Sequence, residues 1–192
     1  MIGHVVVCSA VLTTGLLLPL RANAQAVKIY GLDRDARKCF VSARTAVAFG
    51  QTSPFALTSC TTALQGGNLT TRDKAATHVN RGILSMALDD HGTALQDFDA
   101  ATDLHPRHGA IYVNRGNVFF LRDAYDDAIA EYTKALGAEM VEYQVAYLNR
   151  GMAHESLGHL EAAEADYRRA LALNPEWGLA ISKLARVLTK RN

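Results

Sequence analysis

The sequence predicts an all-α chain, an array of antiparallel helix pairs closed by a single C-terminal capping helix. Three observations carry that expectation. The tripeptide Asn-Arg-Gly recurs at 80–82, 114–116 and 149–151, and other landmarks move in step with it. Apolar residues between the landmarks fall at helical rather than strand spacing. The composition agrees, with 49% hydrophobic residues, 7% aromatic and only four Pro in 192 residues. That balance favours helices over sheet and excludes a disordered, collagen-like or cysteine-dense chain. Lys and Arg number 20 against 19 Asp and Glu, with no block of like charges, so nothing advertises a nucleic-acid or anionic-membrane partner.

The first element, residues 1–26, reads as a secretory signal peptide. Val5 to Leu20 is uncharged and mostly apolar, and Ala22-x-Ala24 and Ala24-x-Ala26 follow as cleavage patterns. An uncleaved membrane anchor is the other reading. Against it, the run is interrupted by Thr13, Thr14, Gly15 and Pro19 and falls short of the roughly 20 apolar residues of a span. The segment lacks the usual basic start, since only the amino terminus and His4 precede the run. The expected destination is exported, periplasmic or extracellular, with no membrane attachment after cleavage. Cys8 leaves with the segment, and Cys39 and Cys60 remain. In an oxidising compartment a pair implies a bridge; two buried thiols acting as small hydrophobes are the alternative.

The repeat fills the middle and end of the chain. Ala94, Ala128 and Ala163 form one periodic set, and Phe98, Tyr132 and Tyr167 another. Ala101, Ala135 and Ala170 form a third, and Pro106, Met140 and Pro175 a fourth. Coincident sets at one spacing define repeat units at 75–108, 109–143 and 144–177. In the second unit Tyr112, Val113, Gly116, Phe119 and Phe120 mark one helix, and Asp123 to Asp126 a polar turn. Ala128, Ile129, Tyr132, Ala135 and Leu136 then mark a second helix, which Gly137 stops. A glycine inside a helix costs about 1 kcal/mol against alanine. Three at one period imply a close approach, in which the ring of Tyr132 or the methyl of Ala128 lies against Gly116.

These residues resemble the tetratricopeptide repeat family. Tyr112, Gly116, Phe119, Ala128 and Tyr132 meet its pattern in one unit; Tyr147, Gly151, Ala163, Tyr167 and Pro175 meet it in the next; Gly82, Ala94, Phe98 and Pro106 meet it in the first. The resemblance spans residues 75–177. It implies a right-handed superhelical array whose first helices line a concave groove for a peptide. Two departures stand out: Arg81, Arg115 and Arg150 replace the family's leucine, and Met140 stands where proline is usual. Sixteen residues after each arginine comes an acid, Asp97, Glu131 and Asp166. Antiparallel helices would set one structural ion pair in each unit; a row of arginines collecting an acidic ligand is the other reading.

Two further elements flank the units. Residues 27–70 read as a decayed helix pair, since Ala56-x3-Cys60-x2-Ala63 matches Ala94-x3-Phe98-x2-Ala101 at an offset of 38. The same offset puts Phe40 at the place of His78 and Arg44 at that of the glycine. Cys39 begins the first helix of this pair and Cys60 sits on the second, so antiparallel packing brings the thiols together and favours the disulfide. Thr70-x-x-Asp73 reads as an N-cap for the next helix. At the other end, 178–192 reads as a capping helix with Ile181, Leu184, Ala185 and Leu188 inward and basic Lys183, Arg186, Lys190 and Arg191 on its wet side.

No catalytic motif emerges. His154-Glu155 and His159 lack the four-residue histidine spacing of a zinc-protease helix. His105 and His108 could hold a metal only with a third ligand, and loop histidines are commoner than ligands. No enzyme, cofactor or metal is therefore expected, and a hydrolase using His105 and His108 is the enzymatic alternative. The resemblance implies a peptide-binding groove faced by Val79, Asn80, Ile83 and Met86, then Val113, Asn114, Asn117 and Phe120, then Leu148, Asn149, Met152 and Glu155. Packing between repeats is the other reading of these side chains. The repeated Asn80, Asn114 and Asn149 are placed to bond a peptide backbone. The basic residues that clamp a C-terminal carboxylate in chaperone-binding members are absent here, so an apolar peptide or helix fits better. The expected function is non-catalytic protein–protein binding. A self-associating structural subunit of a cell-envelope assembly, a homo-oligomer, is the alternative.

Overall fold

The computed structural model describes residues 24–31, 33–50, 52–53, 55–139 and 142–192. The apolar run of the expected signal peptide, Cys8, Ala22 and Met140 lie outside the described residues. Among the described residues nine helices succeed one another: α1 (Arg34–Phe49), α2 (Ala56–Gln65), α3 (Thr71–Ala87), α4 (His91–Leu104), α5 (Gly109–Leu121), α6 (Tyr125–Leu136), α7 (Tyr143–Ser156), α8 (Leu160–Leu173) and α9 (Gly178–Arg191). Helices α1/α2, α3/α4, α5/α6 and α7/α8 pack as pairs, α9 lies on α8 and α7, and α3, α5 and α7 touch in succession. The result is an all-α solenoid with its first helices in a row. Local chemistry sets the starts of several helices. The Asp33 carboxylate accepts from the Ala36 N–H, and Asp90 accepts from that of Thr93. The Thr70 hydroxyl oxygen accepts from the Asp73 N–H at 3.1 Å and its proton goes to the Asp73 carboxylate, which starts α3 four residues ahead of the 75 boundary.

Each repeated glycine is a notch for a ring. A Cβ built on Gly116 would stand 2.5 Å from Cε1 of Tyr132; on Gly82 it would stand 2.6 Å from Cε1 of Phe98, and on Gly151 2.8 Å from Cε1 of Tyr167. All three rings are fully buried. The ring, rather than the Ala128 methyl, occupies the notch.

The N-terminal pair closes differently. Cys39 and Cys60 stand at disulfide distance, with Cα atoms 4.8 Å apart, and both are fully buried. Cys60 takes the place that Phe98 holds in the next pair, so sulfur chemistry replaces the ring. The expected place of Arg44 is corrected. Ala36, Cys39, Ala43 and Ala46 form the inward face of α1, while Arg44 is exposed and stacks 5.6 Å from the Phe40 ring centroid.

The three arginines differ in how tightly they hold their acids. Arg81 grips Asp97 with two bonds of 2.8 Å, and Arg150 grips Asp166 in the same way. Arg115 meets Glu131 only at 3.5 Å, because Lys134 takes the other carboxylate oxygen at 2.6 Å. Each arginine also reaches the second helix of the preceding pair: Arg81 to Thr61, Arg115 to Asp99 and Arg150 to Thr133. These half-buried side chains are thus struts between neighbouring helices.

The capping helix sits in a different phase from the expected one. Ala180, Lys183 and Val187 are its buried residues, whereas Ile181 and Leu188 are exposed. Of its bases only Lys183 is buried; Arg186, Lys190 and Arg191 stay exposed along their stems and turn their charged ends onto the preceding pair. Arg186 and Lys190 bond the Glu155 carboxylate at 2.7 and 3.0 Å, the Tyr167 hydroxyl donates to it at 2.9 Å, and Arg191 pairs with Glu164. A buried carboxylate that needs cations decides which face of α9 turns inward.

Burial works to raise the Glu155 carboxyl, but the bonds from Arg186, Lys190 and Tyr167 outweigh it and bring it down from 4.5 to about 2. A carboxyl lowered in the folded state adds stability that is complete above its unfolded value and fades as pH falls. Thermal melts should therefore show a loss between pH 4.5 and about 2 that Glu155→Gln, itself less stable at pH 7, no longer shows in full. The notches make a second prediction. Gly116→Ala should cost about 1–3 kcal/mol by overpacking against Tyr132. By contrast Gly178→Ala, at the first residue of α9 where nothing lies within 4 Å, should leave stability within about 0.5 kcal/mol. Urea unfolding of both variants checks the pair.

Candidate functional site: an arm on the concave face

Ala24 to Tyr30, ahead of α1, form neither helix nor strand and lie across α3 and α5. The Gln25 N–H donates to Asn114 Oδ1 at 2.9 Å, and Asn114 Nδ2 donates back to the Gln25 carbonyl at 3.0 Å. Two residues on, the Val27 N–H donates to Asn80 Oδ1 at 2.8 Å, and Asn80 Nδ2 donates to the Val27 carbonyl at 2.7 Å. Alternate residues of an extended chain present N–H and C=O to the same side. Each carboxamide therefore pairs with one residue as a neighbouring strand would. The Tyr30 N–H then donates to Asp73 Oδ1 at 2.8 Å. Burial works against the Asp73 charge, yet the N–H groups of Tyr30 and Gly31, the Thr70 hydroxyl and Arg72 hold its carboxyl below the usual range. The arm meets α5 first and the start of α3 last, so it runs opposite to the order of the repeats.

The other expected groove residues have different neighbours. Asn149 donates to Asn117 Oδ1 at 2.8 Å, and Asn117 also accepts from the Tyr132 hydroxyl at 2.9 Å, so these amides cross-link α5, α6 and α7. Val79, Ile83 and Met86 belong to a buried cluster with Phe98 and Ile111. Val113 packs with Ala135 and Ala146, and Phe120, Leu148 and Met152 pack with Tyr132, Tyr167 and Val187. All seven are at most 7% exposed. They close the core between successive pairs, and the open apolar wall expected of them is corrected. Glu155 is likewise corrected from a groove residue to the anchor of α9.

A cleft of about 730 Å³ lies beside the arm, lined on one side by Ala24, Gln25, Ala26 and Val27 and on the other by Phe40, Val47, Ala75, Ala76, Ala110 and Ile111. Both charge signs border it, Arg44 and Arg72 as well as Glu139 and Glu142. Tyr30 lies 4.4 Å below the Arg72 guanidinium, measured to the ring centroid. His105 and His108 also line the cleft, with ring centroids 5.5 Å apart. Burial, then the charges of His105 and Arg72, lower the His108 pKa. Among the described residues no group of three His, Cys, Asp or Glu side chains is gathered as metal ligands. Sequence reasoning missed Asp73 as an acceptor for the arm and missed the arm itself. No repeat or spacing in the sequence announces either.

Two family models described as tetratricopeptide repeat match the chain, one over residues 79–144 and one over residues 145–176. The mouse protein DnaJ homolog subfamily C member 3 is 28% identical over 126 residues, 66% of this chain and 25% of its own length. Curated relatives are matched over only 10% to 32% of their lengths. Among solved structures, the Arabidopsis OM64 TPR domain is 26% identical, with a TM-score of 0.60 over 63% of this chain and 99% of its own. The first TPR of Spaghetti (RPAP3), bound to the HSP90 peptide SRMEEVD, shares the fold at 24% identity and a TM-score of 0.60, covering 62% of this chain and 96% of its own. The two family matches together cover more than half of the sequence, and the chain belongs to the tetratricopeptide repeat family.

Proposed function

We propose that the concave face holds an extended polypeptide by its main chain, with Asn80 and Asn114 as the two rungs, and that the protein is a non-catalytic interaction module. The observation that supports this reading is the paired bonding of each asparagine to both backbone groups of Gln25 and Val27. An amide that meets N–H and C=O of one residue reads no side chain, so recognition is by backbone conformation. The peptide held by the Spaghetti domain supports binding as the use of the fold. That peptide ends in an acid, however, and this groove has amides where a carboxylate clamp would have bases. Amide exchange by NMR on the full-length chain tests the rungs. The Gln25 and Val27 N–H groups should exchange about tenfold or more slowly than in Asn80→Ala/Asn114→Ala. Exchange at the unprotected rate in the unsubstituted chain would overturn the reading.

Export is the second part of the proposal, supported by the apolar run from Val5 to Leu20 and by Cys39 and Cys60 at disulfide distance. Cleavage after Ala24 would keep both rungs filled, whereas cleavage after Ala26 would remove Gln25 from Asn114. Protein recovered from the exporting cell should resist alkylation at Cys39 and Cys60 until it is reduced. Immediate labelling of both thiols would contradict the oxidised pair.

A further inference from the structure

We propose that the arm from Gln25 to Val27, which cleavage after Ala24 leaves whole, is a built-in, displaceable occupant, and that the working ligand is an extended segment of another protein carrying bulky apolar side chains into the cleft beside the arm. This rests on the reading of Asn80 and Asn114 as backbone rungs. The arm is divided into a fixed root and a loose end. Ile29 is 6% exposed and packs with Ala36, Ala63 and Ala76, and the Tyr30 N–H is held by Asp73. Ahead of Lys28 the anchors are the two asparagine pairs, a 3.4 Å bond from Gln25 Nε2 to Glu142, the buried methyl of Ala24 and the half-buried Val27.

In this end only Val27 adds a bulky side chain to the core clusters. Ala24 and Ala26 offer one methyl each, whereas a buried leucine or phenylalanine contributes about 1.5–3 kcal/mol. The room for such side chains exists: the cleft of about 730 Å³ runs along Ala24 to Val27, with the half-buried Phe40 and Val47 as its apolar walls and the buried Ala75, Ala76, Ala110 and Ile111 beneath them. That is within the range of a ligand pocket. The arm thus fills the main-chain rungs and leaves the adjoining side-chain space open. A trans segment running in the arm's direction, from Asn114 towards Asn80, gains that space and competes for the same bonds. The mixed charges bordering the cleft select neither an acidic nor a basic segment, so the apolar positions carry the preference.

Fluorescence anisotropy with two labelled heptapeptides tests this: the arm sequence Ala24–Tyr30, and the same sequence with leucine for Ala26. The proteins are the full-length chain and its Gln25→Pro/Val27→Pro variant, in which proline removes both N–H donors and still permits an extended backbone. Circular dichroism verifies the fold; Gln25→Pro alone serves should the double variant unfold. The proline variant should bind the leucine peptide about tenfold or more tightly than the unsubstituted chain does. It should also prefer leucine over alanine by about fivefold or more, and Asn80→Ala in that background should abolish the gain. Equal affinity of the two proteins would overturn the displaceable arm and leave the backbone rungs standing. Absence of binding to either would overturn the groove reading itself. No preference for leucine would remove the bulky ligand, and a dimer that the proline variant loses in sedimentation would put a second copy in its place.

Discussion

A ring seated against a bare glycine backbone is the contact on which the rest of this molecule depends. At Gly82, Gly116 and Gly151 the facing rings come so near that even a Cβ would collide, and this sets the spacing within each helix pair. The same tripeptide distributes its other duties by geometry. Successive residues on a helix turn by about 100°, so when glycine faces the second helix, the preceding arginine lies to the side and the asparagine lies about 200° round, on the concave face. The side position puts Arg81 and Arg150 against Asp97 and Asp166. The concave position puts Asn80 and Asn114 under the arm. One three-residue word thus supplies wedge, strut and rung.

Charge closes both the units and the end of the array. A bidentate arginine–aspartate pair is geometrically matched, and it forms where the acid is aspartate. Where it is glutamate, the longer side chain reaches Lys134 instead and loosens its hold on Arg115. At the C-terminal end Glu155, buried beside Tyr167, holds the charged ends of the exposed Arg186 and Lys190 and so fixes the rotation of α9. A hydrophobic count alone would turn Ile181 and Leu188 to the core. The desolvated carboxylate prevails, because leaving it without cations is costlier than exposing two aliphatic side chains.

The concave face then acquires its character from what lies on it. The apolar side chains expected to greet a ligand are consumed between repeats, and the polar amides are left to meet a main chain. Here that main chain is the chain's own arm, held by Asn80 and Asn114 with the cleft alongside.

The helix pairs, their period, the notches and the partners of Arg81 and Arg150 are legible along the chain, because each is a local or fixed-offset relation that repeats. The sequence also brought Cys39 and Cys60 onto facing helices, although the offset that placed them misread Arg44. Which asparagines serve as rungs emerges only from the folded chain, since Asn117 and Asn149 carry the same side chain and bond each other. Only the fold revealed that residues 24–30 lie in the groove, as the bonds run between positions 53 and 89 residues apart with no repeat to announce them. The phase of α9 was beyond the sequence for the same reason. A buried charge on a distant helix outranks the local pattern, and its presence shows only when the chain is folded.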